Sequence, residues 1–256
     1  MTDLRKRMQA AMSRPLPKRF YKVAGFEPVQ GKSSWRIVLD GRPVKTPGKQ
    51  GLELPTAELA DAIAQEWQAQ GELIDPAHMR MTTLAFTAID GVRGKEAAVA
   101  AEIVSYAGTD LVCYRATGPD RLVAQQATAW DPVLAWAAKN LGAHFIATAG
   151  LVHATQTAKA LDTIAAAINP CGPFELAALS VMTSLTGSAL LALAVQRGHM
   201  TADAAWTAAH VDEDWQIAQW GQDDEASSRH ATRWRDMEAS ARMLRCLRAV
   251  PGPEKG

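Results

Sequence analysis

Apolar side chains repeat with period two through Trp35-Arg-Ile-Val-Leu39, then with a period near four from Leu59 through Ile63 to Trp67. Period two is the signature of a strand with one buried face, and a period near 3.6 that of a helix with one buried stripe. Residues 20–54 accordingly read as short strands. Segments 20–23 and 35–39 come first, Asp40-Gly41 is a hairpin turn, 44–46 returns, and 52–54 is a last strand stopped by Pro55. Thr56 then N-caps a helix that Gly71 closes, with Leu59, Ile63 and Trp67 facing inward. The pattern predicts further helices over 82–89 and 95–107, the latter burying Val99, Ile103 and Tyr106. The apolar run 111–115, with Cys113 inside it, reads as a strand joining the earlier sheet.

Beyond Gly118-Pro119 the pattern is almost entirely helical, over about 120–141, 156–168, 173–197, 201–220 and 223–248. Segments 145–147 and 151–153 read as brief extended pieces. The chain is therefore expected to be α+β. Residues 1–117 would form a domain with a small, mainly antiparallel sheet plus helices, and residues 118–256 an all-helical domain. Residues 1–18 read as a short helix or flexible arm, since Leu4, Met8 and Met12 share a helical face but no apolar secretory core follows. Twenty uncharged residues, 176–195, are long enough to span a bilayer, yet Ser, Thr and Gly dilute them. A central helix buried in the helical domain is the expected reading.

Composition narrows the function classes. Apolar residues make up 48% of the chain and charged residues 21%, enough for a buried core. Lys plus Arg equals Asp plus Glu at 27 each, which removes a global electrostatic reason to bind nucleic acid or anionic lipid. Cys113, Cys171 and Cys246 are far apart and form no CxxC pair, so neither a disulfide framework nor a thiolate zinc site is indicated, and a reducing, cytoplasmic compartment is expected. The six histidines make no metal-binding spacing, so no metal is expected. No cofactor is expected either. The stretch from Gly25 to Gly31 and Lys32 has five residues between its glycines where a phosphate loop needs four, and a strand follows where that loop needs a helix.

The most informative run is 212–225, with six acidic residues, two tryptophans and no base. Arg229, Arg233, Arg235, Arg242, Arg245 and Arg248 follow it. Such a segment reads as a docking surface for another protein, with Asp214, Gln216, Trp220, Asp224 and Glu225 as contact residues. The plainer alternative is a solvated helix face with two packed indoles. Trp35, Trp67 and Trp130 are read as packing residues. Glu66 and Gln70, four apart, could bond each other or a partner. An enzyme with an interdomain cleft using carboxylates such as Asp110 and Glu225 is the competing class, and a membrane-attached factor using 176–195 a third.

Taken together, several segments resemble a known family. They are Phe20-Tyr-Lys, Leu39-Asp-Gly-Arg-Pro-Val-Lys-Thr-Pro47, Ala62-Ile-Ala-Gln-Glu-Trp-Gln-Ala-Gln70 with Ile74-Asp-Pro76, and Thr87-Ala-Ile-Asp90. Next come the stretch from Tyr106 to Arg115, Gln126 with Trp130-Asp-Pro132, and Asp214-Trp-Gln-Ile-Ala-Gln-Trp-Gly221. In this order they resemble the assembly chaperones for the alpha subunit of the F-type ATP synthase catalytic head. Arg80, Thr83 and Phe86 depart from the residues usual in that family. The resemblance implies a protein without catalysis that holds the unassembled alpha subunit until the beta subunit takes its place; a monomer is expected. It also implies a functional acid in the C-terminal region, best matched by Glu225 with Asp224 beside it.

Overall fold

The computed structural model describes residues 16–150, 153–221 and 224–248. The expected arm over 1–18 lies largely outside them, as do residues 151 and 152 of the extended piece at 151–153. Four antiparallel strands open the fold: β1 (Ala24–Pro28), β2 (Trp35–Leu39), β3 (Arg42–Pro43) and β4 (Glu53–Leu54). Strand β2 is central. It pairs along β1 from Ala24 opposite Leu39 to Pro28 opposite Trp35, while β3 and β4 share its other edge. The turn at Asp40-Gly41 has φ of 47° and 76°, the doubly left-handed geometry that a tight hairpin demands. The return strand pairs at 42–43 rather than over 44–46, where Lys45 makes only a bridge to Gly51.

Segment 20–23 is not a strand. Asp40 accepts the backbone N–H groups of Lys22 and Val23, and the Arg19 guanidinium donates to the carbonyls of Tyr21, Lys22, Gln68 and Gln70. Side chains thus take the backbone groups that a sheet ladder would need. Only Tyr21 turns inward; Phe20 is 74% exposed.

Helix α1 (Ala57–Gln68) starts where Thr56 accepts the Leu59 N–H, and it buries Leu59, Ile63 and Trp67. Its Glu66 settles an ambiguity left by the sequence. The carboxylate accepts N–H groups from Met81 and Thr82 and the Thr82 hydroxyl, each at 2.8 Å. It therefore serves as the missing cap of α2 (Arg80–Phe86), whose own cap residue Met79 offers no side-chain bond. Gln70 instead binds the Asp75 N–H and the Glu66 carbonyl. The coil continues as a wider π turn over Thr87–Val92, so the helix runs longer than the expected 82–89. Asp90 in that turn accepts from the Thr46 hydroxyl and the Gly48 N–H, both at 2.7 Å, pinning the loop after β3 to the helix.

Helix α3 (Glu96–Gly108) follows, burying Ile103 while Val99 and Tyr106 are half-buried. The expected strand at 111–115 becomes a 3-10 turn, Leu111–Cys113, and a two-residue strand β5 (Tyr114–Arg115). Strand β5 joins not the first sheet but β6 (Thr148–Ala149), in parallel, so the extended residues lie just beyond the expected 145–147. The cause is Asp110, which is fully buried and caps both this turn, through Val112, and a distant helix, through Leu190.

The helical remainder comprises α4 (Asp120–Trp136) with a π turn at Ala137–Leu141, α5 (Ala158–Ile168), α6 (Pro173–Thr186), α7 (Ala189–Gln196), α8 (Ala202–Ala209), α9 (Val211–Trp220) and α10 (Asp224–Arg248). The uncharged run is split at Gly187, which has φ of 65°, and Ser188 caps α7 by accepting the Leu191 N–H. Its two helices form the centre of the core, and every residue of α7 is buried. Among the described residues no helix is long and apolar enough to cross a membrane. The expected helix over 201–220 likewise breaks at His210. Helix α10 packs along α6 and reaches back to α1 and α2, closing one continuous core.

Trp67, 8% exposed, packs edge-on against Tyr21, and among the described residues its indole N–H has no partner. Trp67→Arg should destabilise the fold by roughly 3–5 kcal/mol through an unpaired buried charge, giving insoluble protein, whereas Trp67→Phe should remain soluble. A soluble Arg variant with an unchanged melting midpoint would refute this placement. A Cβ at Gly48 would lie 2.7 Å from the Asp90 Cγ. Gly48→Ala should therefore cost about 1–3 kcal/mol in urea unfolding. That cost should shrink in an Asp90→Ala background, because the two changes act on one contact.

Candidate functional site

Helix α9 buries none of its residues, although it sits against the core. Its direction is set by a knot of rings at its start. The His210 Nδ1 lies 2.7 Å from the Trp206 carbonyl, and its ring lies 4.0 Å from the Trp206 ring and 5.0 Å from that of His230. The Trp206 indole donates to His230 Nε2 at 3.1 Å. Burial holds the His210 imidazole below its ordinary pKa. From this knot α9 runs beside α4. Buried Gln126 links the two helices: its amide donates to Asp212 at 2.6 Å, and its carbonyl oxygen accepts the Ala116 N–H.

Between α4 and α9 lies an open, mostly apolar groove of about 660 Å³. Ala124, Thr128 and Ala129 form one wall, and Val211, Trp215 and Ala218 the other. Arg121 and Asp214 also line it. The Arg121 guanidinium lies 6.0 Å from the Trp215 ring centre, a cation–π distance. Trp220 ends the helix 79% exposed. Asp224 and Glu225 then open the 25-residue α10, where the helix dipole favours negative charge. The Glu225 side chain is 84% exposed and pairs with Arg229 one turn on, a contact of little energetic weight in water.

Residues 18–138 match the model of the ATP12 chaperone protein family. The solved structure of Atp12 from Paracoccus denitrificans is 41% identical, with a TM-score of 0.86 over 91% of this chain and 99% of that one. An aspartate-to-lysine variant of that protein matches equally, over 91% of this chain and 98% of its own. A candidate chaperone from Agrobacterium tumefaciens is 44% identical, with a TM-score of 0.89 over 97% of this chain and 92% of that one. The chain belongs to the ATP12 chaperone family. The family model ends just after α4, so it includes one wall of the groove, while the solved relatives extend the likeness across nearly the whole chain.

Of the residues that the sequence nominates in this family member, Asp214 lines the groove, and Gln216 is exposed on α9 away from the lining. Trp220 is exposed at the helix end, and Asp224 and Glu225 are exposed on the following helix. Trp130 is fully buried, donating to the Ala208 carbonyl at 2.6 Å, while Trp35 is half-buried edge-on to Phe26. The sequence did not reveal the α4 wall. Small residues at Ala124 and Thr128 were its only local trace, and their meaning depends on which helix lies opposite. A second exposed apolar group was also missed: Leu16, Phe20, Val23 and Leu73 lie on segments joined by hydrogen bonds between Arg19 and Glu72 and between Ile74 and Pro17.

The residues proposed for catalysis are differently placed. Asp110 is sealed in the core while Glu225 faces solvent, so the two do not share a cleft. Burial pushes the Cys113 thiol up to about 12, which suppresses its thiolate. Burial also outweighs the donors around Asp110 and raises its carboxyl to about 6. The folded chain thus holds that proton more tightly than the unfolded chain, so the associated stability is full below about pH 4 and is lost as pH rises through 6. Relative to a non-titrating Asp110→Asn variant, wild type should lose roughly 2–3 kcal/mol between these limits. Urea unfolding of both proteins across that range checks this, and a gap independent of pH would contradict it.

Proposed function

We propose that the protein is an assembly chaperone of the F-type ATP synthase that binds the unassembled alpha subunit, as a monomer in the bacterial cytoplasm and without catalysis. Membership of the ATP12 chaperone family supports the assembly role. The observation that carries the reading is α9, a helix that buries no residue and presents acids and Trp220 beside an open apolar groove. An apolar groove rimmed by polar groups, with an exposed indole beside it, is the form that docking sites take.

The physical task suits such a surface. A subunit made to pair with another exposes an apolar face, and that face aggregates while it waits. A holder must cover the face and then give it up. An interface with a few aromatic anchors and a polar, charged rim meets both needs, because rim charges set orientation and encounter rate more than residence time. The cysteines are free thiols, two of them buried, consistent with a reducing compartment.

Refolding alpha subunit should scatter less light with the protein present at stoichiometric ratio, and the two should co-elute on gel filtration. Trp220→Ser and the double variant Asp224→Asn, Glu225→Gln should keep melting midpoints close to wild type, since these side chains are exposed. Both should support less assembly of the catalytic head. Normal assembly by the stable double variant would remove those two acids from the surface; absence of any complex with the wild-type chain would end the proposal.

A further inference from the structure

We propose that the groove between α4 and α9 seats one amphipathic helix of the client, with apolar anchors in the groove and lysine or arginine beside Asp214. The proposal rests on the chaperone reading above and specifies what its surface holds. Three observations support it.

The first is shape. The groove's volume of about 660 Å³ falls in the range of ligand sites and exceeds what one side chain fills, so it has room for several anchors. The second is the nature of the walls. Both are helices, whose backbone groups are already bonded within each helix. They offer no free strand edge, so an extended segment would bring N–H and C=O groups that find no partner there. A helix brings its hydrogen bonds already made and needs only apolar anchors on one face.

The third is charge. Helix α9 carries Asp212, Glu213 and Asp214 and no base. Asp212 is occupied by Gln126, and Glu213 lies 3.8 Å from the His210 ring. Among the described residues Asp214 has no side-chain partner, although it lines the groove. The cation in the lining, Arg121, lies over the Trp215 ring and leaves Asp214 to an incoming charge. An occupant with lysine or arginine next to its anchors at this point satisfies that carboxylate; an acid at the same point is repelled by it.

The probe is a synthetic helix with leucine anchors one and two turns apart flanked by lysines, with a twin in which glutamates replace the lysines. Binding of each labelled peptide to the full chain is read by fluorescence anisotropy, and retention of alpha subunit by gel filtration. Ala124→Trp and Ala218→Trp fill the groove from opposite walls at exposed positions, so at least one should keep its melting midpoint. Wild type should bind the lysine peptide at least tenfold more tightly than its twin. Each filling variant should weaken that binding about tenfold, and Asp214→Lys should reverse the preference between the peptides. Weaker retention of alpha subunit by the folded filling variants extends the proposal to the client. Folded filling variants that bind the lysine peptide like wild type would overturn it, as would equal affinity for both peptides or a chain dimer that the filling variants abolish. If the filling variants still hold alpha subunit like wild type, the groove assignment fails and the chaperone reading stands. If wild type fails to hold alpha subunit yet binds the peptide through the groove, the chaperone reading fails instead.

Discussion

The Asp110 carboxylate, buried without access to water, holds together the two ends of the architecture. It accepts N–H groups from the turn that follows α3 and from the first turn of α7, eighty positions further along the chain. Leu111 donates to the Gly187 carbonyl in the same joint. Burying a carboxylate is costly, and here donors on both sides offset part of that cost. The joint fixes where the uncharged pair α6 and α7 begins its second half. Helices α3, α8 and α10 pack around that pair. A shift at Asp110 would therefore move most of the core.

Glu66 solves a similar problem on the sheet side. Helix α2 begins at Met79, which cannot cap it, and a carboxylate from α1 supplies the acceptors. Burial raises the Glu66 carboxyl above its ordinary value, while the bonded N–H groups and nearby Arg242 draw it back. Arg80, which departs from the usual family residue, pairs with Asp236 of α10. These long-range bonds join α1, α2 and α10 where local sequence alone provides no closure.

Against this closed core, α9 is notable for what it leaves open. The ring knot at His210, the Gln126–Asp212 bond and half-buried Val211, Trp215 and Ile217 hold it in place. Its indole at Trp220 and the Asp214 carboxylate remain exposed. A surface fixed by polar bonds and partial burial is pre-organised yet still solvated, so binding need not first order it. That combination suits a holder whose complex must later come apart.

Elements decided by near neighbours were legible in the sequence. The Thr56 cap, the Leu59–Ile63–Trp67 stripe, the Asp40-Gly41 turn and the interior character of 176–195 each depend on residues a few positions away. The acidic and aromatic character of 212–225 was equally plain. Other features were decided only by tertiary structure. Segment 111–115 has strand composition, but Asp110 caps its first residues into a turn through Val112 and docks that turn on a distant helix through Leu190. Segment 20–23 has strand character, but Arg19 and Asp40 take its backbone groups and leave Phe20 in solvent. The groove exists because α4 lies beside α9, and no periodicity within either helix specifies its neighbour. Local patterns fix which face of an element is apolar; the packing of distant elements fixes whether that face is covered.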